Sequence, residues 1–198
     1  FREGYRLGNA EVQDGMYVDG FLCPLSGLLM GQTAEKLAGL KGISRAEQDA
    51  FAAESQGKCE AARKSGKFKD EIVPLEGKGP DGKPLWIEAD EHPRDGVTAL
   101  ALAKLPPVFE DDGSVHAGNS SGITDGGAAL VLMAEDEAKR RGLKPLARLV
   151  AGTTAGVDPS LMGIGPVPAM QSLFKRIGGD ADQFDLIIEN ASIIDGTG

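Results

Sequence analysis

Residues 117–133 read AGNSSGITDGGAALVLM. Apart from Ile123, residues 117–127 are glycine or small and mostly polar, whereas residues 128–133 form a continuous apolar run. An apolar run of this length, bounded by turn residues, is typical of a strand that is buried on both faces. The stretch therefore predicts a glycine-rich turn that leads into a buried strand.

Downstream of this strand, helix and strand patterns alternate. Residues 135–141 place acids first and bases last, as the helix dipole favours, and predict a short helix. Residues 166–177 predict a second helix with Pro near its start. Residues 147–152 and 185–188 predict two further strands. The order β-α-β-α-β indicates an α/β sheet layer.

Upstream of the turn, two helices are predicted from their caps. Thr33 is placed to cap a helix over residues 34–40. Ser44 and Glu47 form a capping box, which predicts a long helix to about Ser65. Small residues line one stripe of this long helix and predict the close approach of another backbone. They are Ala46, Ala50, Ala53, Gly57 and Ala61.

The remaining upstream elements are short. Residues 71–75 and 85–88 flank a Pro-Asp-Gly turn and predict a β-hairpin. Residues 97–105 predict a short helix, and residues 5–18 predict two extended pieces joined by a loop.

Composition excludes several classes of protein. The 198 residues include 21 Lys and Arg against 30 Asp and Glu, a net charge of −9. This balance argues against nucleic-acid binding, which needs a basic surface. No apolar stretch approaches the roughly 18 residues of a membrane span, and no signal-peptide pattern opens the chain. The first residue is Phe1, so we expect the chain to be processed, trimmed or incomplete.

The reactive side chains are few. Cys23 and Cys59 lie in unrelated contexts, which predicts neither a disulfide framework nor a metal cage and fits a reducing compartment. A nucleophilic thiol needs a lowered pKa, and neither context offers one plainly, so we interpret both as buried or incidental. His92 and His116 are the only histidines. We favour a solvated His92 and a structurally satisfied His116, with a catalytic His116 as the alternative.

The glycine-rich turn is the best local candidate for ligand binding. Its backbone N–H groups, together with Asn119, Ser120 and Ser121, could bind a polar amide or an anion. The alternative is a turn that only connects to the strand. The dinucleotide-binding and P-loop glycine patterns do not occur in the sequence.

Taken together, the order and spacing of six stretches resemble the thiolase family, which comprises acetyl-CoA acetyltransferases and 3-ketoacyl-CoA thiolases. The six stretches are residues 30–38, 43–52, 66–74, 105–109, 117–126 and 155–169. The sequence departs from the family pattern at Leu29, Ala101 and Thr124.

The resemblance implies an α+β fold in which a loop domain is joined to incomplete α/β layers. It implies the loop domain over residues 1–124, the end of the N-terminal domain over residues 125–146, and the start of the C-terminal domain over residues 147–198. The tail from about residue 185 is atypical and is similar to the opening strand of an amidohydrolase. By the same resemblance, the nucleophilic Cys lies upstream of Phe1, and the second Cys and the His lie downstream of this chain.

The implied function is acyl transfer that makes or cleaves 3-ketoacyl-CoA. The resemblance implies that coenzyme A (CoA) or acyl-CoA binds as substrate, with no permanently bound cofactor and no metal. Met30 would line the pantetheine and acyl pocket, Arg94 and Phe109 would flank the adenine end, and Ala117 and Ser121 would contact the pantetheine amides.

The resemblance also implies a cytoplasmic homodimer or homotetramer with no nucleic-acid or membrane partner. Because the chain lacks the family's catalytic motifs, we expect it to be inactive by itself. Two alternatives remain open at this stage. One is a non-catalytic CoA-binding or oligomerisation module, and the other is a leader fused to an amidohydrolase.

Overall fold

A computed structural model describes residue 9 and residues 11–179. These residues form helices and one small antiparallel sheet, an α+β arrangement. The helices are α1 (Met30–Lys41), α2 (Arg45–Lys64), α3 (Ala99–Leu102), α4 (Glu135–Arg140) and α5 (Pro166–Ile177), with a π-helix at Met16–Phe21 and a 3₁₀ helix at Pro159–Ile164. The strands are β1 (Leu75–Lys78) and β2 (Pro84–Ile87).

Helix α1 begins earlier than its sequence predicts. Its N-cap is Leu29, whose N–H donates to the Gln32 side chain at 2.8 Å. Thr33 lies inside the helix and does not cap it, because its hydroxyl donates to the Met30 carbonyl at 2.6 Å. The helix ends at Gly42, where a φ of +66° suits glycine.

Helix α2 confirms its predicted start. The Ser44 N–H donates to Glu47 at 2.7 Å, and the Glu47 N–H donates back to the Ser44 hydroxyl at 3.3 Å. The predicted packing stripe is wrong, since Ala46, Ala50 and Gly57 are exposed. The buried face instead carries Asp49 and Cys59. The packed face of α2 is therefore not the face with the smallest side chains. It is the face whose Asp49 has a polar partner in another part of the chain.

The hairpin and the shorter helices form close to where they are predicted. Strand β1 pairs with β2 from Leu75↔Ile87 to Lys78↔Pro84, so residues 71–74 lie outside it. Helix α3 is shorter than residues 97–105, whereas α4 and α5 follow their predicted ranges. The π-helix replaces the extended conformation expected before Val18. At its start, the Met16 N–H donates to the Asp14 side chain at 2.9 Å.

The predicted α/β sheet is not formed among the described residues. Residues 121–134 and 147–158 carry neither helix nor strand. A strand requires a hydrogen-bonded neighbour, and the described part of the chain supplies none to either segment. Leu130 and Leu149 are accordingly 86% and 78% exposed. The strand predicted for residues 185–188 and the atypical tail lie outside the described residues.

The small core lies where α2, α3 and residues 113–122 meet. Its buried apolar side chains include Cys59, Leu102 and Val115. Helix α1 packs on the 3₁₀ helix, and Lys36 donates to the Ser160 hydroxyl at 2.5 Å. No helix within the described ranges has the length and apolar character that crossing a bilayer demands.

Candidate functional site

Residues 113–122, hereafter the 113–122 loop, are fastened to α1 by a buried carboxylate. The Glu35 side chain is 8% exposed. It accepts hydrogen bonds from the Ser114 N–H at 2.7 and 2.9 Å, from the Ser114 hydroxyl at 2.6 Å and from the Val115 N–H at 2.6 Å. Burial raises the pKa of Glu35, but these hydrogen bonds and the nearby Arg45 charge outweigh burial and lower the pKa below its usual value.

A second buried carboxylate fastens the loop to α2. Asp49 Oδ1 lies 2.6 Å from His116 Nε2. The two side chains are 2% and 0% exposed. Arg45 donates to Asp49 Oδ2 at 2.9 Å, and also to the carbonyls of Leu102 at 2.8 Å and Leu105 at 3.0 Å. The pair is therefore held on both sides, by α2 and by the end of α3.

The His116 ring has one defined tautomer. The Gly118 N–H donates to Nδ1 at 3.0 Å, so Nδ1 is unprotonated. Nε2 then carries the proton and donates to Asp49. Both ring nitrogens are used, which confirms the interpretation of His116 as a satisfied residue and leaves it no free nitrogen to act as a base.

A β-turn over residues 116–119 forms the exposed tip of the loop. The Asn119 N–H donates to the His116 carbonyl at 3.1 Å, and the His116 N–H donates to Asn119 Oδ1 at 2.8 Å. Ala117 is exposed on this turn. Glycine fits closely at position 118, since a Cβ there would lie 2.5 Å from Leu102 Cδ2 and 2.8 Å from Leu105 Cδ1 and both leucine side chains would have to shift.

Of the predicted CoA-binding residues, Phe109 packs against the residue that follows Met30. Met30 opens α1 and is half exposed. The Phe109 ring lies against the backbone of Gly31, where a Cβ would overlap it. Because Gly31 has no side chain, the aromatic ring fits against the backbone one residue from Met30.

Arg94 and Ser121 each lie close in sequence to a residue that makes a contact between distant parts of the chain. The Arg94 N–H donates to Gln56 Oε1 of α2 at 3.2 Å, which fixes the backbone while the side chain stays exposed. The His92 ring packs against Gly122, next to Ser121. His92 is consequently half-buried, not solvated as its sequence context predicts.

Sequence reasoning missed the buried carboxylates that hold the loop. Glu35 and Asp49 contact residues 67 to 80 positions away. The available signal was the i,i+4 pair of Arg45 with Asp49. An acidic side chain on the packing face of a helix needs a hydrogen-bond or charged partner. The polar residues of the 113–122 loop are candidates for that partner.

A further concavity lies on another part of α2. A groove of about 390 Å³ is lined by Ile43, Glu47, Gln48, Phe51, Ala52 and Asn119. None of the predicted CoA-binding residues lines this groove. Its polar edge is shared with the turn, because Asn119 donates to Gln48 at 3.3 Å.

The two thiols differ. Cys59 is buried in α2, as predicted. Cys23 corrects the sequence expectation, because hydrogen bonds from the Ser26 hydroxyl and from the N–H groups of Ser26 and Leu25 lower its pKa. The cause is a tight turn, closed by the Gly27 N–H donating to the Cys23 carbonyl at 2.8 Å, that directs these donors at the sulfur.

Residues 1–136 match the family model for the thiolase N-terminal domain. The chain is 50% identical over 189 residues to the acetyl-CoA acetyltransferase of Allochromatium vinosum, covering 96% of this chain and 48% of that protein. It is 48% identical over 187 residues to the acetyl-CoA acetyltransferase of Shinella zoogloeoides, covering 94% of this chain and 47% of that protein. The chain thus spans about half the length of the curated relatives it matches.

Solved structures agree in fold. The crystal structure of the Bacillus anthracis acetyl-CoA acetyltransferase superimposes with a TM-score of 0.83 at 44% identity, over 93% of this chain and 46% of that one. Human mitochondrial 3-ketoacyl-CoA thiolase superimposes with a TM-score of 0.84 at 42% identity, over 93% of this chain and 47% of that one.

Proposed function

Because the chain belongs to the thiolase family, we propose that it supplies the CoA-binding part of an acyl-CoA C-acyltransferase that makes or cleaves 3-ketoacyl-CoA. The observation that carries the proposal is the 113–122 loop. Two buried carboxylates, Glu35 and Asp49, hold it rigid while Ala117 and Ser121 stay exposed at its surface. A preorganised loop that offers backbone groups and a hydroxyl suits the amides of pantetheine.

The side chains around the loop support roles along a CoA molecule. Ala117 and Ser121 contact the pantetheine amides, and Met30 lines the pantetheine and acyl pocket. Arg94 supplies positive charge for the phosphates at the adenine end, despite the net charge of −9. The position of Phe109 against Gly31 favours the pantetheine end, beside Met30, over the adenine end that the resemblance implies.

The proposal places the nucleophile outside this chain. Acyl transfer through a thioester needs a thiolate, a base and an oxyanion site together. Cys59 is buried in a helix, and the His116 ring is fully engaged with Asp49 and Gly118. Cys23 has a lowered pKa, so it is the thiol to test. The role proposed for this chain by itself is therefore CoA binding. The whole enzyme to which it belongs is proposed to be a cytoplasmic homo-oligomer, as the resemblance to the family implies.

We also propose the domain division that the resemblance to the family implies. Residues 1–124 form the loop domain, residues 125–146 end the N-terminal domain, and residues 147–198 begin the C-terminal domain. The polar contacts of the 113–122 loop with α1 and α2 all fall within the first range. The hydrogen bond from Lys36 to Ser160 joins the first range to the last.

Titration calorimetry with CoA tests the binding role. Arg94→Ala should weaken binding about fivefold at low salt, since one surface charge contributes roughly 1 kcal/mol to a nearby phosphate. Arg148→Ala, also an exposed arginine, is the matched control and should bind as the original chain does. The Arg94→Ala effect should shrink above roughly 0.1 M salt, where the Debye length falls to about 10 Å. Absence of CoA heat at millimolar ligand from a folded chain overturns the proposal.

Mass spectrometry after incubation with acetyl-CoA tests the placement of the nucleophile. We expect no acetyl adduct on Cys23 or Cys59 and no thiolysis of acetoacetyl-CoA. An adduct on Cys23 that turns over with free CoA, and that Cys23→Ser abolishes, would contradict the assignment.

A further inference from the structure

The buried His116 side chain spans Ala117, the exposed residue of the proposed CoA site, through a hydrogen bond to Gly118. Its Nδ1 accepts the N–H of Gly118, two residues along, at 3.0 Å. Ala117 lies between the two and is exposed. The side chain of a buried residue thereby closes a ring around the peptide groups of Ala117.

The orientation of that ring is in turn fixed from α2. Nε2–H donates to Asp49 at 2.6 Å, and Asp49 is held by Arg45 at 2.9 Å. Within the described residues, no hydrogen bond engages the N–H or the carbonyl of Ala117. The orientation of these two groups depends on the residues on either side of Ala117. His116 precedes Ala117 in the chain, and its ring accepts a hydrogen bond from Gly118, so it constrains the backbone on both sides of Ala117.

We propose that His116 is the positioning residue of the CoA site, acting through the Gly118 N–H to aim the Ala117 peptide groups at a pantetheine amide. This inference rests on the function proposed above and adds a residue that acts without touching the ligand. The hydrogen bond between Nδ1 and Gly118 orients the Ala117 peptide groups, whereas the hydrogen bond between Nε2 and Asp49 fixes the orientation of the His116 ring.

Two substitutions at His116 separate these links. In His116→Asn, the amide oxygen stands where Nδ1 stood and accepts the Gly118 N–H, but the side chain is too short to reach Asp49. In His116→Gln, the amide nitrogen reaches Asp49, but no acceptor remains for Gly118. Both variants lose one buried hydrogen bond, so both lower the melting temperature.

CoA affinity should distinguish the two variants where stability does not. By calorimetry on the full chain, His116→Gln should weaken CoA about three- to tenfold, the value of one misaligned neutral hydrogen bond. His116→Asn should stay within about twofold of the original chain. Cys59→Ala removes a buried side chain that lies about three turns beyond Asp49 on α2. It is the control for a loss of stability alone, and we expect its CoA affinity to be unchanged.

The outcomes are separable. If the original chain does not bind CoA, the proposed function fails and this inference fails with it. If the original chain binds and His116→Gln binds equally well, only the positioning role is overturned. The same holds if affinity in all three variants simply follows melting temperature.

One further measurement does not require the His116 variants to fold. Nitrogen-15 spectra of the original chain should show His116 with Nδ1 unprotonated and Nε2 protonated, and the opposite tautomer overturns the proposal.

Discussion

Replacing Glu35 by Gln measures how strongly α1 holds the 113–122 loop. The carboxylate accepts bonds from the Ser114 N–H, the Ser114 hydroxyl and the Val115 N–H. Gln keeps one acceptor oxygen and turns an NH₂ group toward one of these donors. Hydrogen bonds to buried charged groups contribute about 1.5–3 kcal/mol each, so we expect Glu35→Gln to lower the free energy of unfolding by about 2–4 kcal/mol at pH 7.

The effect should depend on pH with a defined sign. The pKa of Glu35 is lowered in the folded chain, whereas an unfolded Glu titrates near about 4.3. The carboxylate therefore stabilises the fold fully above that unfolded pKa, and the stabilisation is lost as pH falls through the lower folded pKa. The difference between the original chain and Glu35→Gln should be largest at neutral pH and should shrink below about pH 4.

The assay is urea unfolding followed by the helical circular dichroism signal of the chain, to which α1 and α2 contribute. Glu54→Gln is the matched control, because Glu54 makes an exposed i,i+4 ion pair with Lys58 worth only about 0.3–0.5 kcal/mol. A Glu35→Gln value within about 0.5 kcal/mol of the control at pH 7, or a difference that grows in acid, would refute the reasoning.

Two further predictions concern packing. Gly31→Ala should destabilise the chain because its Cβ would overlap the Phe109 ring, whereas Gly39→Ala on the same helix has open space and should stabilise it by up to about 1 kcal/mol; thermal melts that rank the two the other way would contradict this. Residues 121–134 and 147–158 expose apolar side chains and have no strand partner in the described part of the chain, so the chain should self-associate or melt with weak cooperativity. A monodisperse monomer with a sharp two-state melt, by ultracentrifugation and calorimetry, would be the opposite result.

Local signals in the sequence predicted the elements that depend on neighbours a few residues away. The Ser44–Glu47 capping box sets the start of α2, and Pro166 with Gly178 bounds α5. Thr33 misled because a threonine hydroxyl can bond backward to a helix carbonyl as well as cap a new helix. The strand patterns at 128–133 and 147–152 depend on partners, which no window of local sequence can supply.

The site divides in the same way. The sequence predicts the glycine-rich turn that contains Ala117, because glycine and small polar residues favour turns. Its anchors Glu35 and Asp49 are not, since each partner lies far along the chain. The close approach of Phe109 to Gly31 is invisible to pattern for the same reason.

Proton–nitrogen correlation spectra of the labelled chain, titrated with CoA to millimolar concentration, test the proposed binding surface most directly. We predict the largest shifts at the amides of Gly31, Arg94, Ala117, Gly118 and Ser121, with the amides of α4 unchanged. Spectra that do not change, or shifts that concentrate on α4 and leave the 113–122 loop unaffected, would contradict the account.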